Sequence, residues 1–240
     1  MKSAKNRAKA YAFLLTLIVL FTGIIFILVI QAKEKNKAMP ESRSEIIKLP
    51  APRYDSNVSI EKALLKRRSV RDYKDKPLKL AEVSQLLWAA QGITGTYGLR
   101  TAPSAGALYP LEAYIVAGNV NDLPDGIYRY KPHVHELEMV TKGDKRKELC
   151  NAALGQPSVR DAALVIIFSA VYERTTVKYG ERGIRYVHME AGHAAQNVFL
   201  QAVALNLGTL VIGAFYDDVV KKVMNMAGGE QPLYIMPVGR

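Results

Sequence analysis

Three arginines fall within five residues in the stretch RRSVR, which runs from Arg67 to Arg71. It closes a segment whose apolar residues fit one face of a helix. If that helix continues, Arg67 and Arg71 are four residues apart on one face, and their guanidiniums could bind one phosphate together with the hydroxyl of Ser69. The alternative is a solvated basic helix end, where cations stabilise the last carbonyls.

A second candidate is the loop RTAPSAGALYP, which runs from Arg100 to Pro110. Gly106 lies between Ala105 and Ala107, so no bulky side chain covers the backbone there. The prolines disfavour helix at both ends of the small-residue stretch. A flat ligand could lie against this backbone, although an ordinary surface loop has the same composition.

A third candidate is GTLVIGAF, from Gly208 to Phe215. It follows an apolar stripe that predicts a long helix over residues 185–206, which Gly208 is placed to cap. The pattern predicts a buried strand that ends at Gly213, and a plain core strand is the alternative.

Taken in chain order, these segments resemble the nitroreductase superfamily. The residues that carry the resemblance cover about 59–240 and read RRSVR, LLWAAQGIT, PSAGALYP, KYGERGIRYVHMEAGHAAQNVFL, VIGAF and PLYIMPVGR. The likeness is strongest to the SagB-type azoline dehydrogenase branch. It implies an α+β flavoenzyme that binds FMN at the interface of a homodimer.

The resemblance also implies roles for individual residues. The phosphate- and ribityl-binding segment corresponds to Arg67, Arg68, Ser69 and Arg71. The loop over the isoalloxazine ring, which often comes from the other subunit, corresponds to Pro103, Ser104, Ala105 and Gly106. Ile212 and Gly213 match a turn near the flavin, and Arg240 matches a late basic residue that contacts the phosphate. Because Arg240 ends the given sequence, its α-carboxylate would oppose a phosphate unless it turns away.

Lys178 and Tyr179 match an adjacent pair that, in the azoline dehydrogenase branch, is implicated in taking a proton while hydride goes to flavin. A lysine serves as a base only when burial or neighbouring cations lower its pKa. Arg174, Arg182 and Arg185 are close enough in sequence to supply such charge. A solvated lysine beside a packed tyrosine is the alternative.

Several other site classes are excluded. His188 and His193 are about 140° apart around a helix, so HMEAGH is not an HExxH zinc motif, and no metal site is predicted. Cys150 is the only cysteine, so there is no internal disulfide. The sequence has no P-loop, no G-x-G-x-x-G and no G-x-S-x-G. The net charge is +11, of which +6 falls in residues 1–48, and no basic stripe with interleaved aromatics predicts nucleic-acid binding.

The organisation along the chain is predicted as a basic tail over 1–10, a transmembrane anchor over 11–30, a linker over 31–52 and a flavin-binding domain over 53–240. The anchor rests on 20 uncharged residues, long enough to span about 30 Å. A cleaved signal peptide is the alternative, and lysines and arginines on both flanks leave the side of the membrane undetermined.

Within the domain, helices are predicted near 59–67, 80–91, 144–154, 185–206 and 217–226. Strands are predicted near 112–117, 126–131, 135–140, 162–169, 209–213 and 233–238. This mixture predicts an α+β fold with a central mixed or antiparallel sheet flanked by helices, preceded by one transmembrane helix.

The function predicted from all of this is FMN-dependent oxidoreduction by hydride transfer, acting on a small molecule or a modified peptide. A SagB-type dehydrogenase of an azoline or related C–N bond is one form of it. The alternatives are an NAD(P)H-dependent nitro or quinone reductase and a membrane-tethered flavin-binding module without turnover.

Overall fold

A computed structural model of the chain describes Phe21, Gly23 and Ile25, which are helical, and residues 45–240. The chain divides into two units, Met1–Arg43 and Ser44–Arg240, and the fold is that of the second unit.

Within residues 45–240, seven antiparallel strands form the central sheet. Their bounds are β1 Ile46–Lys48, β3 Leu111–Ala117, β5 Gly126–Lys131, β6 Glu136–Lys142, β7 Leu164–Val171, β8 Gly208–Thr209 and β9 Glu230–Gly239. Their order across the sheet is β1-β6-β5-β3-β7-β9-β8. Two short strands, β2 Leu78–Lys79 and β4 Val120–Asn121, form a separate parallel pair. The prediction was a mixed or antiparallel central sheet, and the sheet is antiparallel.

Helices pack on both faces of this sheet. Their bounds are α1 Ile60–Lys66, α2 Leu80–Gln91, α3 Arg146–Ala152, α4 Pro157–Asp161, α5 Glu173–Tyr179, α6 Arg182–Ala204 and α7 Asp217–Met224. The five predicted helices all form, whereas α4 and α5 were not predicted.

Strand β7 is buried on both faces, which explains why LVIIFSAV is apolar at every position but Ser169. Its alternate residues enter two separate cores. The core that includes α2 and α6 contains Leu86, Ile115, Phe168, Val187 and Val198. The core that includes α3 and α7 contains Tyr114, Val116, Leu149, Val165 and Val220.

A buried carboxylate joins three central strands. Glu230 of β9 accepts hydrogen bonds from the Tyr114 hydroxyl at 3.0 Å and from the Ser169 hydroxyl at 2.7 Å. Because a buried carboxylate without partners is costly, these two donors explain how a charged residue is held inside the sheet.

Strand β1 adds to the edge of the sheet from within the predicted linker. It pairs antiparallel with β6, with Ile46 opposite Glu138 and Lys48 opposite Glu136. The backbone of the segment is held further by the bond from the Leu49 N–H to the carbonyl of His135 at 3.2 Å. The ordered sheet therefore takes in residues that precede 53.

The predicted transmembrane helix over 11–30, and the membrane location inferred from it, are contradicted. Within Phe21, Gly23, Ile25 and residues 45–240, no helix is both long and apolar enough to cross a bilayer. The long helix α6 has the length, at 23 residues, but it carries charged residues such as Arg182, Arg185 and Glu190 and is not apolar enough. The other residues of the predicted span lie outside the described part of the chain.

Candidate functional site

The RRSVR segment and the GTLVIGAF segment lie side by side. Helix α1 ends at Lys66, and the chain then runs extended beside β8, where Ser69 pairs with Thr209. The Val70 N–H donates to the carbonyl of Thr209 at 3.0 Å. A Cβ on Gly208 would lie 2.7 Å from Cγ1 of Val70, so only glycine allows this close approach. Two of the predicted cofactor segments are thus neighbours.

The arginines of RRSVR do not share a helix face. Arg67 already has extended backbone, with ψ 124°, so the helical spacing of Arg67 and Arg71 is lost. Arg67 lies with its guanidinium 5.1 Å from the ring centre of Phe199 on α6, whereas Arg71 lines a polar hollow with Arg146 and Arg160. The side chain of Arg68 turns back to donate to the carbonyl of Arg67 at 2.7 Å.

The small-residue loop is exposed and tightly wound. A short 3₁₀ turn spans Ala105–Ala107, and Gly106 has φ +63°. The Ser104 hydroxyl accepts from the N–H of Tyr109 at 2.9 Å and so ties the two ends of the turn together. Pro103, Gly106 and Ala107 are exposed, which leaves this stretch of backbone open to a ligand.

Lys178 and Tyr179 come directly against this loop. They lie at the end of α5, and a Cβ on Gly106 would be 2.8 Å from the Tyr179 hydroxyl and 3.1 Å from Lys178 Nζ. The Tyr179 ring packs edge-on against Tyr186 of α6, with centroids 5.2 Å apart. The structure therefore brings the predicted proton-transfer pair and the predicted ring-covering loop together, 72 residues apart in sequence.

A salt-bridge network fixes α5 to the loop. Arg174, in the same helix as Lys178, donates to the carbonyl of Tyr109 at 3.1 Å and to Glu112 at 2.6 Å. The other oxygen of Glu112 is held by Arg129 at 2.9 Å. Because one carboxylate binds both arginines, the loop and the helix that carries Lys178 are positioned by the same residue of β3.

Ile212 and Gly213 lie at the end of the third segment. Ile212 exchanges two backbone hydrogen bonds with Ile235, at 2.8 and 3.0 Å, so its backbone is fixed by β9. Gly213 is exposed, and a Cβ there would meet no atom within 4 Å. The segment is less regular than predicted, since β8 covers only Gly208–Thr209 and Ile212 pairs as an isolated bridge.

The side chain of Arg240 is paired with a carboxylate. Its Nη2 lies 2.6 and 2.8 Å from the two carboxylate oxygens of Glu82 in α2. The backbone carbonyl of Arg240 accepts from Lys74 N–H. The structure therefore pairs the Arg240 guanidinium with a carboxylate, directly after Gly239, which pairs with Gly208 in the segment beside RRSVR.

Sequence reasoning missed one buried carboxyl next to the site. Glu190 is 2 % exposed, and burial raises the pKa of its carboxyl to about 7, against the opposing effects of the Ser104 hydroxyl and the Arg100 guanidinium. It could have been found from the helical period, because it lies three residues after Val187 and four before Ala194, inside the apolar stripe of α6.

The two histidines of HMEAGH, His188 and His193, have different surroundings in the structure. The Nε2 of His188 lies 2.6 Å from the hydroxyl of Tyr172, and His193 is exposed. Among the residues that the structure describes, no group of three or more His, Cys, Asp and Glu side chains could hold a metal ion.

Comparison with known proteins gives one consistent result. A family model described as the nitroreductase family matches residues 64–240. A nitroreductase-type protein of Methanocaldococcus jannaschii is 48% identical over 183 residues, which cover 76% of this chain and 91% of that protein. The crystal structure of a nitroreductase-type protein from Ralstonia eutropha has a TM-score of 0.72 and 28% identity, and the match covers 85% of this chain and 92% of that one.

The chain is also similar to the microcin B17-processing protein McbC of Escherichia coli. The two are 31% identical over 133 residues, which cover 53% of this chain and 48% of McbC. The chain therefore matches about half the length of that relative.

Proposed function

This chain belongs to the nitroreductase family, and from that premise we propose that it is an FMN-dependent oxidoreductase that dehydrogenates an azoline or a related C–N bond. One observation carries the proposal: Lys178 and Tyr179 lie against Gly106, in the loop assigned to the flavin ring. The similarity to McbC, which is described as a microcin B17-processing protein, supports a modified peptide as the substrate class.

The residues present fit FMN at both of its ends. The exposed backbone around Gly106 and the open space around Gly213 suit a flat ring, which needs close approach to main-chain atoms. The exposed Ser69 and the guanidinium of Arg67 suit a phosphate. We assign Arg67, Arg68, Ser69 and Arg71 to the phosphate and ribityl end, where the Arg71 side chain would have to turn out of its hollow beside Arg146 and Arg160 to reach the ligand. Pro103–Gly106, Ile212 and Gly213 are assigned to the ring.

FMN, when bound, supplies the hydride-accepting ring, and the protein supplies binding, orientation and charge. In this proposal Lys178 would take a proton from the azoline ring carbon that is bonded to nitrogen, while the adjacent ring carbon gives up a hydride to the flavin and a double bond forms between the two carbons. Tyr179 would hold the lysine in place. The Nζ of Lys178 lies 5.4 Å from the Tyr179 ring centre, so the two side chains lie close together. Arg174 fixes the helix that carries them.

A second copy of the chain completes the site in this proposal. Lys178 is exposed, whereas a lysine base needs water excluded from it so that its neutral form is favoured. Around it lie exposed apolar side chains, Val177 at 88 % and Met189 at 53 %. A homodimer would cover these side chains and shield Lys178 at the same time.

A second candidate function is supported by the 48% identical relative, which is described as a nitroreductase. A reductase would take hydride from a reduced nicotinamide and pass it to a nitroaromatic or a quinone. It would use the same flavin site but would not need Lys178 as a base.

The experiment that tests the proposal is the visible spectrum of the purified protein, with chromatography of any released cofactor. We expect stoichiometric FMN, reduced occupancy in Arg67→Ala and Arg71→Ala, and unchanged occupancy in the control Arg53→Ala, since Arg53 is exposed and lies outside the assigned segments. A folded, colourless protein that also fails to bind added FMN would overturn the flavoenzyme proposal and leave an interaction module without turnover.

With FMN bound, two assays separate the two candidate functions. Reduction of the flavin by an azoline-containing peptide in a single turnover supports the dehydrogenase. Reduction only by a nicotinamide, followed by turnover with a nitroaromatic or a quinone, supports the reductase instead.

A further inference from the structure

Glu190 is a buried carboxyl that the proposed chemistry does not use. It is 2 % exposed in the middle of α6, and its Oε1 has no hydrogen-bond partner. A buried polar atom without a partner raises the free energy of the folded state, and a charged one raises it more. This carboxyl lies at a position where the helical period predicts an apolar side chain, so we expect it to have a role beyond packing.

The carboxyl lies beneath the small-residue loop. A cavity of about 280 Å³ separates the loop from α6. Its lining residues are Pro103, Ser104 and Ala105 from the loop, and Tyr186, Met189, Glu190 and His193 from the helix. Any movement of the loop away from α6 would open Glu190 to water.

The same region holds other unpartnered atoms. Among the residues that the structure describes, five buried side-chain atoms lack a hydrogen-bond partner, and three of them belong to Gln91, Arg100 and Glu190. The Nη1 of Arg100 donates to Gln91 Oε1 at 2.8 Å, and the guanidinium lies 4.4 Å from the Tyr109 ring centre. The base of the loop is thus polar, buried and incompletely hydrogen-bonded.

The loop itself is strained. Ala107 and Tyr109 have left-handed backbone, with φ +54° and +47°, a conformation that is unfavourable for residues other than glycine. Such a loop stays closed only while its supports hold. One support lies within the loop, where the Ser104 hydroxyl accepts from Tyr109 N–H, and the support from the helix side is the contact with α6 around Glu190.

We propose that Glu190 is a positioning residue that couples proton uptake to closure of the loop Pro103–Pro110. The neutral carboxyl packs beneath the closed loop and can donate a hydrogen bond, whereas the carboxylate would bury a charge that the Ser104 hydroxyl and the Arg100 guanidinium offset only in part, and so favours the open, hydrated loop. Closing the loop therefore takes up one proton, and by linkage a higher pH opens it. The inference rests on the proposed function, because this is the loop assigned there to the flavin ring.

The raised pKa of Glu190 agrees with this direction, since it places the change of charge at about pH 7. The groups that act on Glu190 are Arg100, just before the loop, and Ser104, within it. Tyr186 and His193 of α6 line the same cavity. The Arg100 guanidinium in turn lies close enough to Glu112 of β3, Tyr109 of the loop and Arg174 of α5 to interact with them electrostatically.

Hydrogen–deuterium exchange on the full chain without added cofactor tests the coupling. Amides of residues 101–110 are compared at about pH 6 and about pH 8, after correction for the intrinsic pH dependence of exchange. We expect protection to fall at the higher pH in the wild type and to be the same at both pH values in Glu190→Gln, which mimics the neutral carboxyl.

Two control variants identify the titrating group. Glu181→Gln removes an exposed carboxylate at the start of the same helix, and His193→Gln removes an imidazole that lines the cavity. Both should keep the pH dependence of the wild type. If His193→Gln abolishes it while Glu190→Gln retains it, the proposal is overturned and the histidine is the switch.

Infrared difference spectroscopy gives a measurement that does not depend on Glu190→Gln folding. In the wild type, a protonated carboxyl band should disappear with a midpoint near 7, and in Glu190→Asp the band should remain with a shifted midpoint. A wild-type loop whose protection does not change between the two pH values would overturn the proposal. Neither method uses FMN, so failure of the flavin assignment and failure of this coupling give different results.

Discussion

The hydroxyl of Tyr179 lies 2.8 Å from the point where a Cβ on Gly106 would sit, so glycine at 106 is what lets the tyrosine and its lysine neighbour reach the loop. Gly106→Ala is expected to displace both side chains and to add roughly 1–2 kcal/mol of backbone strain at φ +63°. We therefore expect single-turnover hydride transfer to slow by more than the loss of folding stability explains. Stopped-flow flavin absorbance and urea unfolding measure the two effects.

Gly155→Ala is the matched control for that substitution. Gly155 has a similar backbone, with φ +72°, but a Cβ there meets no atom within 4 Å. Gly155→Ala should lose similar stability and keep its hydride-transfer rate. If both variants lose the same fraction of activity, the contact between Gly106 and Tyr179 has no part in the reaction.

Lys178→Ala should slow the single-turnover oxidation of an azoline substrate by about 10²-fold or more, the usual contribution of a positioned general base. Its FMN content should be unchanged, because Lys178 is assigned to the substrate. Lys62→Ala, which removes an exposed lysine from α1, is the control. An unchanged rate in Lys178→Ala would remove this lysine from the mechanism and favour the reductase.

The raised pKa of Glu190 predicts how the free energy of unfolding depends on pH. Burial raises its pKa from 4.5 to about 7, so the folded protein holds a proton that the unfolded chain has lost. The stability that the protonated Glu190 carboxyl contributes to the folded state is fully present below about pH 4.5 and is lost as the pH rises to about 7. Since each pH unit corresponds to about 1.4 kcal/mol, Glu190→Gln should gain on the order of 3 kcal/mol relative to wild type across that range. Denaturant unfolding at about pH 5 and pH 8 measures this, and parallel pH profiles would contradict it.

Arg240 and Glu82 allow a double-mutant cycle. Both side chains are largely buried and Nη2 lies within 2.8 Å of both carboxylate oxygens, so a coupling energy of about 1 kcal/mol in unfolding is expected. The same variants test the predicted phosphate contact. If Arg240 binds FMN, Arg240→Ala should weaken FMN binding far more than Glu82→Gln does. If the two substitutions weaken FMN binding equally, Arg240 stabilises the fold and does not contact the phosphate.

Local pattern was enough to predict much of this fold. Helix α6 follows from its apolar stripe, and β7 from a run that is apolar except for Ser169. Helix α5 was missed because ERTTVKY contains three β-branched residues in seven and has little helical signal. The resemblance to a family supplied what local pattern does not, namely which distant segments meet.

The site depends on contacts that sequence spacing does not reveal. RRSVR leaves the helix because Val70 pairs with Thr209, about 140 residues later, and so Arg67 and Arg71 point to different places. The partner of Arg240 is 158 residues earlier in the chain. A single sequence carries no sign of either pairing.

Strand β1 also has a protective consequence for the sheet. It occupies the free hydrogen-bonding side of β6, an edge that would otherwise offer unpaired N–H and C=O groups to another molecule. A chain cut just before Arg53 would lose this strand and expose β6, so it is expected to self-associate edge to edge even though the proposed flavin site is intact. A chain cut before Glu45 keeps that edge covered.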